Sequence, residues 1–165
     1  MLMKKATREE RAEALRFLRE NIYAAVATLS SEGRPQLAFM YYSVDADFCL
    51  YIMTKRDSRK CKSLLQNGVV AVAVGDEQGV ESVQMEGTAK EITDGAELAH
   101  RAKEIFRSPR VAGAYLGKEK LKFLPSMSPV ADPVANALFV IRPDWLRLLR
   151  INQKTGESEF LNILP

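Results

Sequence analysis

Six or seven short runs of strand-forming residues, most of them bounded by turn signals, are crowded into 165 residues, and that density limits the fold more than any other feature. Tyr23–Leu29 is apolar, a Ser-Ser-Glu-Gly-Arg-Pro turn occupies 30–35, and a second run covers Gln36–Val44. A short Asp45-Ala46-Asp47 turn then leads into an apolar strand over 48–54. Two hairpins in succession imply an antiparallel meander. Val-Val-Ala-Val-Ala-Val, from position 69, is continuously apolar, which predicts a central strand covered on both faces. Beyond a turn at Asp76–Gly79, Glu81–Ile92 alternates, with Val83, Met85 and Gly87 on one face and Ser82, Gln84 and Glu86 on the other. Two last strands are expected around 137–151, broken at Pro143, and around 158–163 after the Lys154-Thr155-Gly156 turn.

Helical patterns are fewer. Residues 8–21 carry Leu15, Leu18 and Ile22 at helical spacing behind a Thr7/Glu10 capping box. A second helix at 58–67 interrupts the meander, and a third, capped by Asp94 with Glu97, runs to about Arg107. A short helix at 110–118 and an ordered loop over 124–136 complete the expectation. Helices and strands do not alternate strictly, as a parallel α/β fold requires. So many short strands in one small chain favour closure, which removes exposed sheet edges. The expected architecture is therefore mainly β: a small antiparallel barrel with peripheral helices, in a single domain over 1–165. Within it, 1–22 supplies the first helix, 22–93 the barrel core, 94–136 a helix and loop, and 137–165 the closing strands.

A net charge of +3 is too mild for a nucleic-acid track, and the basic residues are scattered apart from those at 55–62. The N-terminal residues contain no apolar run of signal-peptide length, and no later segment approaches the about 18 apolar residues of a membrane span, so a cytoplasmic protein is expected. Cys49 and Cys61 match no common zinc or redox spacing and read as small buried hydrophobes.

The basic segment begins a helix. Asp57 or Ser58 is a good N-cap, Gly68 ends the helix, and Arg59 and Lys60 stand in its first turn, with Lys55 and Arg56 before it. A helix start carries unpaired N–H groups and partial positive charge, so cations there are unfavourable by roughly 0.3–1 kcal/mol unless an anion answers them. A phosphate on the Thr54 and Ser58 hydroxyls and the two basic side chains would resolve the conflict. A solvated basic helix end is the other reading.

Side-chain chemistry is sparse. The single histidine, His100, has Arg101 and Lys103 beside it and reads as part of a solvated helix face. No His, Cys and carboxylate cluster has metal-ligand spacing, and no glycine-rich nucleotide loop is present. Reactive atoms would have to come from a cofactor that carries a phosphate.

Met53-Thr54, three spacer residues and Ser58-Arg59-Lys60 resemble the phosphate-binding segment of the FMN-binding split barrels, the family typified by pyridoxamine 5′-phosphate oxidase. The likeness extends to Ala27-Thr28-Leu29, the Gly33-Arg34-Pro35 turn, Leu64-Leu65-Gln66-Asn67-Gly68-Val69 and Gln84-Met85-Glu86-Gly87-Thr88-Ala89, covering roughly 22–93. It implies a six- or seven-stranded antiparallel split β-barrel that binds FMN, in a homodimer with flavin at the subunit interface; from the charge and the apolar-run lengths, no nucleic-acid or membrane partner is expected. By the same resemblance Phe39, Met40, Tyr41 and Tyr42 would border the ring, while Met53, Thr54, Lys55, Ser58, Arg59 and Lys60 would hold the phosphate end. Ser82 or Gln84, which share a strand face, would reach the flavin, and Trp145 and Arg147 would come from the partner subunit. Plain barrel packing of Met40, Tyr41 and Tyr42, and a solvated Gln84, stand beside these roles as alternatives. Pyridoxamine 5′-phosphate oxidase ends in a Trp-containing strand and an Arg-x-His clamp, whereas this chain has no histidine after position 100. The implied function is a flavin oxidoreductase of unknown substrate rather than that oxidase, with a flavin carrier or sensor and a deazaflavin-dependent reductase as alternatives.

Overall fold

The computed structural model describes residues 6–76, 78–108, 111 and 134–164. The strands are β1 (Tyr23–Leu29), β2 (Pro35–Val44), β3 (Leu50–Lys55), β4 (Val69–Gly75), β5 (Glu81–Glu91), β6 (Asn136–Ile151) and β7 (Ser158–Leu164). The helices are α1 (Arg8–Glu20), α2 (Arg59–Gln66) and α3 (Gly95–Ile105). Apart from Val111 and residues 134–136, the helix expected at 110–118 and the loop expected at 124–136 lie outside the described residues.

All pairings are antiparallel, in the order β3-β2-β1-β4-β5-β6-β7, and β3 also pairs with β6. Six strands thus close into a barrel, with β7 attached outside the ring. Alternate residues fill its interior: Val26 from β1, Tyr42 from β2, Val72 and Val74 from β4, Val83 and Met85 from β5, and Phe139 and Ile141 from β6. Helix α1 covers one end with Ala14, Phe17 and Leu18. A second apolar cluster lies under α3, where Leu98 and Ile105 pack with Tyr51, Met53, Leu138 and Val140.

Two close approaches fix the path of β5. A Cβ at Gly68 would sit 2.4 Å from the Ala89 carbonyl oxygen, and one at Gly87 would sit 2.2 Å from that of Arg142. Only glycine fits at either place without a backbone shift.

Three expectations need correction. The strand expected at 48–54 begins at Leu50, because Phe48 adopts a φ of 64° and turns the chain. Asp45 holds that turn by accepting from the Cys49 and Asp47 amides, while the Phe48 ring is buried in the core, so a residue that reads as strand serves as the plug of a corner. Strand β4 is covered on one face only, with Val70, Val72 and Val74 inside and Val69, Ala71 and Ala73 exposed. Pro143 does not break β6; Gly87 pairs with Pro143 and Glu86 with Trp145, so the strand passes Asp144 as a bulge and continues.

Candidate functional site

Strand β2 pairs along Pro35–Tyr41 with β1, but its ladder with β3 contains only Tyr42–Ile52, Ser43–Tyr51 and Val44–Leu50. Continuing that register would match Tyr41 with Met53, Met40 with Thr54 and Phe39 with Lys55. Those pairs do not form, while β3 stays paired with β6 on its other edge over the whole of Leu50–Lys55. The six residues instead line a cleft of about 200 Å³, together with Tyr23, Lys60 and Asn136. The barrel is split at this seam.

One wall of the cleft is aromatic. Tyr23 stacks on Phe39 with ring centroids 5.2 Å apart and planes 7° from parallel, and Tyr41 tilts against Tyr23 at 5.0 Å. Met40 and Met53 support the walls from the two apolar clusters behind them.

The polar end is the start of α2. Ser58 is the N-cap; its hydroxyl accepts from the Cys61 amide at 3.2 Å and donates to the Lys55 carbonyl at 2.7 Å. The Ser58 proton is therefore committed, so at 3.0 Å the Thr54 hydroxyl is the donor to Ser58 Oγ. The first turn of α2 contains no acidic residue, and among the described residues Arg59 and Lys60 have no carboxylate partner. Arg56, by contrast, pairs with Glu91 at 2.5 Å and is spent within the fold.

A second cleft, of about 130 Å³, lies on the other side of Lys60 and is lined by Thr28, Gln36, Leu37, Ala38, Ser58, Arg59 and Lys60. Lys60 thus borders both clefts.

The structure gathers most of the sequence-selected residues: Phe39, Met40, Tyr41, Met53, Thr54, Lys55 and Lys60 at the first cleft, Ser58 and Arg59 at the second. Tyr42 is not among them. Its side chain points into the barrel, and its hydroxyl donates to the Leu18 carbonyl at 2.7 Å and contacts that of Asn21, as strand alternation from Tyr41 dictates. Burial pushes its phenol well above the usual tyrosine range.

Ser82, Gln84 and Trp145 are also absent from the clefts. The register runs Phe39–Ala25–Ala73–Gln84–Arg147, which places Gln84 three strands, or about 14 Å along the sheet, from Phe39. There the Arg147 guanidinium donates to Gln84 Oε1 at 2.8 Å and lies 5.1 Å from the Trp145 ring centre and 4.5 Å from that of Phe160. Tyr23, Gln36 and Asn136 have no site role in the sequence reading, and Thr28 enters it only within the Ala27-Thr28-Leu29 likeness; strand register is what brings them to the clefts. His100 has a side chain 65% exposed on α3, 3.8 Å from Glu104, on a solvated face as expected, whereas its neighbour Arg101 turns inward over the Tyr51 ring at 4.0 Å.

A six-stranded antiparallel barrel opened along one seam beside a cationic helix start defines a split-barrel protein. Residues 11–121 match the family model described as pyridoxamine 5′-phosphate oxidase, and the chain belongs to that family. No curated protein sequence matches it. Similar solved structures include a Clostridium acetobutylicum protein related to general stress protein 26 of Bacillus subtilis, of the pyridoxinephosphate oxidase family. It has 13% identity and a TM-score of 0.65 over 96% of this chain and 97% of that one. A pyridoxamine 5′-phosphate oxidase-related, FMN binding protein from Nostoc punctiforme has 21% identity and a TM-score of 0.62 over 99% and 100%. A heme binding protein from Mycobacterium smegmatis has 18% identity and a TM-score of 0.66 over 95% of this chain and 60% of that one. At such identities the likeness is one of fold.

Proposed function

We propose that this chain binds FMN at the split seam and uses it for oxidoreduction of a small molecule, as a homodimer in the cytoplasm. The observation that carries the reading is the unformed half of the β2–β3 ladder, opening directly beside an α2 start that has two cations and no acid. The residues fit the group: the cleft offers an aromatic wall for a flat ring, strand backbone for its polar edges and a cationic end for its phosphate.

Bound FMN supplies hydride and electron transfer at ring N5. The chain's own part is to bind, orient and dry the site. Phe39, Tyr41 and Met53 exclude water from the ring face, and β2 and β3 backbone groups fix its rotation. Arg59 and Lys60 anchor the phosphate, and Lys60, shared by both clefts, ties the two ends together.

Homodimer formation accounts for the outer face of the sheet. Leu37 and Phe39 are 68% and 62% exposed beside a floor of Ala25, Ala27, Ala71 and Ala73, and Phe160 stands exposed at the far side. A ridge of large apolar residues next to a floor of small ones is self-complementary across a two-fold axis. In such a dimer Gln84, Trp145 and Arg147 would serve the partner's cleft, which explains their distance from the cleft of their own chain.

Purified protein should be yellow, and mass spectrometry should identify the bound molecule as FMN rather than a deazaflavin. Protein that stays colourless, with a Tm unmoved by added FMN, would overturn the reading. Rapid bleaching on adding a nicotinamide donor supports an enzyme; flavin that stays oxidised points to a carrier or sensor.

A further inference from the structure

The cations around the seam fall into two groups. On β3, Leu50 and Ile52 belong to the barrel core, whereas Tyr51 and Met53 belong to the cluster outside it, under α3. Alternation therefore puts Lys55 on the outer face with Tyr51 and Met53, and Thr54 on the opposite face, where it meets Ser58. On β2, Met40 and Tyr42 are core residues, so Phe39 and Tyr41 share the outer face with Lys55. Lys55 lines the first cleft beside its β6 register partner Asn136, and it does not line the second cleft, where Ser58 and Arg59 are found. The geometry groups Lys55 with the aromatic wall, not with the α2 start. A count of charge gives it a task. No carboxylate lines either cleft, Arg56 is taken by Glu91, and the Lys55 ammonium has no partner among the described residues. A phosphate monoester carries about two negative charges at neutral pH, and Arg59 and Lys60 match them. Lys55 is left over. An oxidised flavin ring is neutral and asks for no cation. A ring that has taken a hydride at N5, two electrons and one proton lost by a donor, carries one more negative charge. Against Phe39 and Tyr41 that charge is costly unless a cation faces it.

We infer that Lys55 is the cation that answers the reduced flavin ring: it holds reduced FMN more tightly than oxidised FMN and so raises the midpoint potential of the bound flavin. The inference rests on the flavin reading and adds to it the residue that sets how readily the ring accepts a hydride. It also moves Lys55 from the phosphate end, where the family likeness put it, to the ring.

The test uses the full chain loaded with FMN and reads the midpoint potential of the bound flavin against a redox dye. Lys55→Met should lose about 10-fold of the preference for reduced over oxidised FMN, from one charge-assisted contact, which is a fall of about 30 mV for a two-electron couple. Lys55→Arg, which keeps the charge, should keep that preference within about two-fold. A second measurement, fluorescence titration of the flavin-free chain, compares FMN with riboflavin, which lacks the phosphate. Lys55→Met should leave the FMN-over-riboflavin ratio within about two-fold of wild type, because the phosphate contacts are untouched. An unmoved potential in Lys55→Met overturns the inference, and a lowered FMN-over-riboflavin ratio alongside it returns Lys55 to the phosphate. An equal fall of potential in Lys55→Arg also overturns it, since charge would not be the cause. Wild type that binds neither flavin removes the flavin reading and this inference with it, whereas FMN bound at an unmoved potential removes the inference alone.

Discussion

Helices α1 and α2 both begin with a hydroxyl cap, yet the two starts are opposites. At α1 the Thr7 hydroxyl accepts from the Glu10 amide at 3.1 Å, the Glu10 carboxylate accepts from the Thr7 amide at 2.6 Å, and Glu9 and Glu10 answer the helix dipole. At its other end the Tyr42 hydroxyl serves the Leu18 and Asn21 carbonyls. Everything α1 needs is inside the chain. Helix α2 has its Ser58 cap, no acid in its first turn, and Arg59 and Lys60 where acids would be favourable. The contrast teaches that α1 is built for stability, and that α2 gives up stability at a place where an external anion restores it.

The largest effect expected from this contrast is on binding. Replacing both Arg59 and Lys60 with Ala should weaken FMN by at least about 100-fold, from two lost charge-assisted contacts, while the Tm of the flavin-free protein stays level or rises. Fluorescence titration and thermal melts read the two quantities separately. A fall in flavin-free Tm with FMN affinity intact would remove the distinction between the helices.

Next in size is Tyr42→Phe, which leaves buried carbonyls of α1 without their donor and should cost about 1–2 kcal/mol in urea unfolding. The same variant has a pH signature. Burial raises the folded-state phenol above its unfolded value of about 10, so the neutral form is favoured in the folded chain. Stability should hold below that value and decline as pH rises beyond it, and Tyr42→Phe should flatten the decline.

Thr7→Ala should cost about 1 kcal/mol and leave FMN affinity unchanged, because the α1 start faces no cleft. The smallest change in stability runs the other way. Arg59→Glu should raise flavin-free stability by about 0.5 kcal/mol by answering the α2 dipole, and should abolish FMN binding; chemical denaturation with and without FMN checks both signs.

Much of this arrangement was legible in the residues. Turn signals, apolar runs and, over 81–92, period-two alternation located the seven described strands, and the capping patterns at Thr7, Ser58 and Asp94 located the described helices. What escaped depends on contacts remote in sequence. Phe48 reads as strand because apolar character says nothing of a positive φ, which here follows from Asp45 tying down the turn. The apolar run of β4 reads as doubly covered, but Val69, Ala71 and Ala73 on its outer face stand exposed, and among the described residues no second layer covers them. Tyr41 and Tyr42 look equivalent in sequence, and parity sends one to the cleft and the other to the core. Gln36 has no distinguishing local signal and Thr28 only a place in the Ala27-Thr28-Leu29 likeness; the β1–β2 register and the placement of α2 bring them to one cleft with Arg59.

The central claim, that α2 starts where a phosphate is held and the ring lies in the opened ladder, is tested most directly by following backbone amide NMR signals during an FMN titration. Saturable shifts should appear at Arg59 and Lys60 and along Phe39–Tyr41 and Met53–Lys55, with the amides of Glu9 and Glu10 in α1 unmoved. Shifts that spare the α2 start and the β2–β3 seam, or that fall equally on both helix starts, would contradict the account.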